Sequence, residues 1–71
     1  MAFLMAKFSK NAYAIFGSEW RDQHGRIFKK GSAYVVDNNE GDWVELQGAD
    51  CNFMAPVNHL MTSEEYNKGN L

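Results

Sequence analysis

A mostly β fold is what this sequence predicts, and three observations predict it. Between Phe28 and Leu60 lie three short runs, Ala33-Tyr34-Val35-Val36, Trp43-Val44-Glu45-Leu46 and Phe53-Met54-Ala55, rich in β-branched and aromatic residues. Two polar breaks, Asp37 to Asp42 and Gln47 to Asp50, separate them as turns separate the strands of an antiparallel meander. In the middle run apolar and polar residues alternate, so Val44 and Leu46 should face a core while Trp43, Glu45 and Gln47 face away.

The elements follow in chain order. Met1, Leu4, Met5, Phe8, Ala12, Ile15 and Phe16 fall at helical spacing, and Gly17 would stop a helix. Ser9-Lys10-Asn11 weakens that reading, and Tyr13, Ile15 and Phe16 suit a strand. A strand over 12–16 is therefore preferred, with 1–8 extended or loosely packed. Residues 17–25 read as an exposed polar loop carrying one large aromatic, Trp20. Such a ring either folds back onto the core or touches a partner. Arg26-Ile27-Phe28 enters the meander, and Gly31 suits a turn or bulge before Ala33. Asp37-Asn38-Asn39-Glu40-Gly41-Asp42 reads as a hairpin connection, because Asn and Gly accept positive φ and Asp and Asn bond nearby backbone. Pro56 should end the third run, since it cannot donate to a ladder. Val57 to Met61 reads as a helical turn or a brief strand. Thr62-Ser63-Glu64-Glu65-Tyr66 resembles a helix start, with a hydroxyl cap and acids in the first turn. Residues 67–71 read as a frayed tail.

The whole chain bounds the function. Seventy-one residues make a single small domain, and a chain of that size buries only roughly 60% of its unfolded surface. The ten aromatic residues can fill a small core, since each ring buries roughly 150–250 Å². The net charge of −2 provides no overall basic field for nucleic acid. Cys51 is the one cysteine, so an internal disulfide is excluded, and its place beside Phe53-Met54 reads as a small hydrophobe. No apolar run approaches the ~20 residues of a membrane span. The start lacks the basic region of a signal peptide, so a cytoplasmic protein is expected.

Chemistry-bearing motifs are scarce. His24, His59 and Cys51 have no metal-ligand spacing. Asp37-x-Asn39-x-Gly41 echoes a calcium loop, but Gly48 stands where its bidentate Glu is required. Cys51 and His59 lack a third orienting group, and no Gly-x-Ser-x-Gly elbow occurs. The expectation is a noncatalytic chain without metal or cofactor.

Two binding readings remain. In the first, Trp43 anchors a protein partner, with Tyr34 and Trp20 adding contact area. Glu40 and Asp42 then favour a partner with a basic surface. In the second, Tyr13, Trp20, Tyr34 and Trp43 stack single-stranded bases beside Arg21, Arg26, Lys29 and Lys30. The acids Asp37, Glu40, Asp42 and Glu45 would repel phosphate there, so protein binding is preferred. Open sheet edges also leave a homodimer as an alternative to a monomer.

The order Phe28-Lys29-Lys30-Gly31, Tyr34-Val35-Val36, Trp43-Val44 and Pro56-Val57-Asn58-His59-Leu60 resembles the Src-homology-3 family over residues 28–60. The resemblance implies an SH3-like barrel of four or five bent antiparallel strands with a shallow aromatic groove. It further implies that Trp43, Pro56, Asn58 and, in place of a Tyr, His59 form a groove for proline-containing peptides. Val44 stands where the family has a second Trp, and no Ala-Leu-Tyr-Asp-Tyr segment occurs. Small microbial and viral chains that resemble such barrels also serve as inhibitors of host proteins, so a phage or microbial effector is a further expectation.

Overall fold

Strand β4, Ala33–Glu40, is the backbone of the fold. In the computed structural model, which describes residues 7–69, its first half pairs with β1 (Tyr13–Phe16) and its second half with β5 (Trp43–Leu46). β6 (Phe53–Pro56) adds to β5, and β7 (Leu60–Met61) adds to β1. The antiparallel order is β6-β5-β4-β1-β7. The short hairpin of β2 (Trp20–Arg21) and β3 (Ile27–Phe28) forms a second sheet. A 3-10 turn, Val57–His59, links β6 to β7, and the helix α1, Ser63–Gly69, closes the described chain.

The mostly antiparallel β architecture agrees with the sequence pattern. Strand formation at Tyr13–Phe16 excludes the helix alternative there. The alternation in β5 also appears as expected, with Val44 and Leu46 fully buried and Trp43 46% exposed. Both readings of the stretch after Pro56 are realised in sequence, a 3-10 turn followed by a two-residue strand.

Four expectations need correction. The hairpin connection over 37–42 shrinks to Gly41-Asp42, because Asn38, Asn39 and Glu40 pair with Glu45, Val44 and Trp43. Strand pairing here overrides the low β propensity of Asn. Gly41, at φ 70, supplies the positive angle that a two-residue hairpin turn needs at its first central position. Residues 17–25 are no plain loop, since Trp20 and Arg21 form β2. Pro56, by contrast, ends the third run as expected: it is the last residue of the outer strand β6. The expected tail begins later, because Asn67 to Gly69 continue α1; positions 70 and 71 lie outside the described residues. Of the stretch 1–8, only Lys7 and Phe8 are described, and Phe8 is buried rather than loose.

The register shifts between Val36 and Asn38. One extra residue at Asp37 bends the strand. It also turns Asn39, rather than Asn38, to the side of Val44, where the Asn39 Nδ2 donates to the Phe8 carbonyl at 2.6 Å. The core comprises Phe8, Ala14, Phe16, Phe28, Val36, Val44, Leu46, Phe53, Ala55 and Leu60.

α1 is tied down by a capping box. The Glu65 N–H donates to Thr62 Oγ1 at 3.2 Å, and the Thr62 N–H donates to Glu65 Oε1 at 3.0 Å. Lys7 Nζ reaches Glu65 at 3.1 Å and the Leu60 carbonyl at 2.9 Å. The entering chain, β7 and α1 are thereby joined. No helix among the described residues is long and apolar enough to cross a membrane.

Candidate functional site: a groove beside the outer strand β6

One wall of the site is the β2–β3 hairpin. Trp20 faces Phe28 across it, and Arg21 faces Ile27. Its tip is organised by Asp22, whose side chain is only 7% exposed. The carboxylate accepts the N–H groups of His24 at 2.9 Å and Arg26 at 2.8 Å, and Arg26 Nε at 2.6 Å. Burial alone would raise its pKa. The bonds from the Arg26 backbone, the Arg26 side chain and the His24 backbone outweigh that, and hold the carboxyl below its ordinary value. Asp and Gly at this spacing are turn chemistry, and Gly25 (φ 84) completes the turn.

The floor is aromatic. Phe28 stacks on Phe16 (5.3 Å between centroids), Trp20 (5.5 Å) and Phe53 (4.8 Å). Tyr34 meets Phe53 edge-on at 5.2 Å and Phe28 at 5.8 Å. The Arg26 guanidinium lies 5.8 Å from the Phe28 centroid and 5.7 Å from that of Phe53, so one cation covers two rings while paired to Asp22.

The other wall comes from the β4–β5 turn and from β6. Glu40 and Trp43 are cross-strand partners, and Trp43 also opposes Pro56. Asn52 Nδ2 donates to Asp37 Oδ2 at 3.2 Å and to Glu45 Oε2 at 3.3 Å, fixing the approach to β6. The β5–β6 loop is tight, since a Cβ on Gly48 would collide with the Cys51 carbonyl. Between the walls lies a groove of about 690 Å³, lined by Trp20, Asp22, Gln23, His24, Arg26, Glu40, Trp43, Cys51, Asn52, Phe53 and Met54.

The fold brings Trp20, Glu40 and Trp43 of the expected contact residues to this groove. Asp42 sits in the adjoining turn, where its carbonyl accepts the Val57 N–H at 2.8 Å. Pro56 is beside Trp43 on the neighbouring strand. His59 and Asn58 lie on the 3-10 turn, outside the lining; His59 Nδ1 is 3.0 Å from Ser18 Oγ. Tyr34 is half-buried in the aromatic cluster rather than displayed. Cys51, read from its neighbours as a small hydrophobe, is exposed and lines the groove.

Sequence reasoning missed Asp22, Asn52 and Met54, and named Arg26 only as a charge for nucleic acid. The Asp22-x-x-Gly25-Arg26 pattern is a readable turn signal. The place of Met54 depends on strand order, which no local pattern announces. Tyr13 lines a separate cavity of about 240 Å³ with Lys7, Phe8 and Thr62. Among the described residues, no three His, Cys, Asp or Glu side chains are grouped to hold a metal ion. Comparison with protein-family models, with curated proteins and with solved structures finds no match.

Proposed function

We propose that this chain is a noncatalytic protein-binding module of SH3-like architecture, which docks on a larger protein through the groove between the β2–β3 hairpin and β6. The observation that carries the reading is Trp43. It is 46% exposed beside a groove of about 690 Å³, while its strand neighbours Val44 and Leu46 anchor the core. A large rigid ring left in water on an otherwise ordered strand is the residue type that dominates binding surfaces. Glu40 stands next to it, exposed and without an ion-pair partner among the described residues, which favours a basic partner. The 3-10 turn after Pro56 and the Trp43–Pro56 neighbourhood are consistent with the Src-homology-3 resemblance. Small size and that resemblance also underlie the narrower reading, a phage or microbial effector that inhibits its target.

The nucleic-acid alternative has less support. Trp20 and Tyr34 pack into the aromatic cluster, Tyr13 lines another cavity, and Arg26 is paired to Asp22. The stacking platform is thereby divided. Affinity capture from a lysate after nuclease treatment, compared between the parent chain and Trp43→Ala, tests the proposal. One stoichiometric protein should be captured by the parent, and truncation of the anchor should cost about 2 kcal/mol or more in affinity. An undiminished affinity in a folded Trp43→Ala chain would overturn it.

A further inference from the structure

We propose that the occupant of the groove is an extended peptide, added as a β-strand along the free edge of β6, with a basic side chain beside Glu40. The inference rests on reading the groove as a protein-binding site and says how that site holds its partner.

Four consecutive residues, Cys51, Asn52, Phe53 and Met54, line the groove. Side chains alternate between the two faces of a strand, so a cavity touched by both Phe53 and Met54 of β6 does not lie on one face alone. It runs along the strand's edge, where the backbone is the common surface. β6 is the outer strand of the order β6-β5-β4-β1-β7.

The register specifies what that edge offers. Trp43 opposes Pro56, and the Val57 N–H donates to the Asp42 carbonyl at 2.8 Å. This makes Trp43–Pro56 a non-hydrogen-bonded pair of the antiparallel ladder. Alternation then makes Val44–Ala55 and Leu46–Phe53 the hydrogen-bonded pairs. The N–H and C=O of Met54 therefore point away from β5, into the groove. Pro56 has no N–H to offer there and limits how far an added strand can extend, as prolines do on sheet edges.

The walls favour a peptide over a second folded copy. The hairpin residues Trp20, Asp22, Gln23, His24 and Arg26 wall the groove, so β6 does not present a flat, open edge to a second sheet. Arg26 is taken up by Asp22 and by the rings beneath it, whereas Glu40 is exposed and has no ion pair among the described residues. The charge left to complement is negative, at the Trp43 end. Main-chain bonds to Met54 would supply affinity, and alternate side chains near Trp43 and Trp20 would supply selectivity.

The test uses the full chain, isotope-labelled, and two blocked synthetic probes. One is a library of strand-forming peptides with a central Lys and alternate positions varied among Val, Ile, Thr and Tyr. The other is a polyproline peptide with a central Lys. Strand peptides should bind and slow hydrogen exchange at the Met54 amide by about tenfold or more. N-methylation of the best peptide on its pairing side, or Met54→Pro in the protein, should weaken binding by about tenfold, while Met54→Thr retains it. Met54→Pro spares the β5 ladder, and if it does not fold the N-methylated peptide decides. Glu40→Gln should weaken the Lys peptide but not its Ser counterpart. Polyproline binding with an unchanged Met54 amide would overturn strand addition and leave the binding-module reading intact. Silence of both probes at millimolar concentration would overturn both. Met54 protection that grows with protein concentration in the peptide-free chain would assign the edge to a second copy and overturn the inference.

Discussion

The two tryptophans lie on opposite walls of one groove and hold opposite positions in the energetics. Trp20 comes from a polar stretch, yet it stacks on Phe28 at 5.5 Å and on Phe16 at 6.1 Å. Trp43 comes from a regular alternating strand, yet it remains 46% exposed. The difference shows that regular secondary structure does not decide whether a ring is structural. Trp20 is half-buried because its hairpin folds onto the core rings. Trp43 is displayed because Val44 and Leu46 already use the inward positions of β5. One wall is thus part of the packed aromatic cluster, and the other is free to change partners.

The sharpest way to break that comparison is to remove the ring both walls depend on. Phe28 is 8% exposed and touches Phe16, Trp20, Tyr34 and Phe53. Phe28→Ala should destabilise the chain by about 3–5 kcal/mol in urea unfolding, a large share of what so small a domain possesses. Trp20→Ala should cost about 2 kcal/mol, since the ring is half-buried and loses two stacking contacts. Trp43→Ala should stay within about 0.5 kcal/mol of the parent in stability. Equal losses at Trp20 and Trp43 would dissolve the distinction between a structural and a displayed tryptophan.

These contrasts also explain how much was legible beforehand. Val44 and Leu46 inside with Trp43 outside follows from period two alone, and the α1 cap follows from Thr62 and Glu65 three positions apart. Both are local. The β2–β3 hairpin was hidden because its window is polar, and its order comes from rings outside that window, Phe16 against Trp20 and the distant Phe53 under Arg26. The second half of β4 was hidden because Asn38, Asn39 and Glu40 are strand residues only by virtue of pairing with β5. The exposure of Cys51 was not legible, because apolar neighbours in sequence say nothing about direction. Of the groove, the Trp43 wall was readable and the Asp22–Arg26 wall was not.

The smallest expected effect separates the walls by pH. The Asp22 carboxyl is held below its ordinary value against the opposing effect of burial, by bonds from Arg26 and His24. A carboxyl depressed in the folded state contributes stability above its unfolded pKa and loses it as pH falls through the folded one. Acid should therefore loosen the hairpin wall. Glu65 shifts in the same direction, first through the Thr62 N–H and then through Lys7, but at α1. Asp22→Asn keeps an oxygen for the two backbone N–H groups and removes the charge and the acceptor facing Arg26 Nε. Its urea midpoint should change less between neutral pH and the acid side of the carboxylate range than the parent's does. Trp20 fluorescence, in a Trp43→Phe background, should report the same narrowing locally. An unaltered acid dependence in Asp22→Asn would move the acid sensitivity from the hairpin to the Lys7–Glu65 end, and would leave the hairpin held by its stacked rings alone.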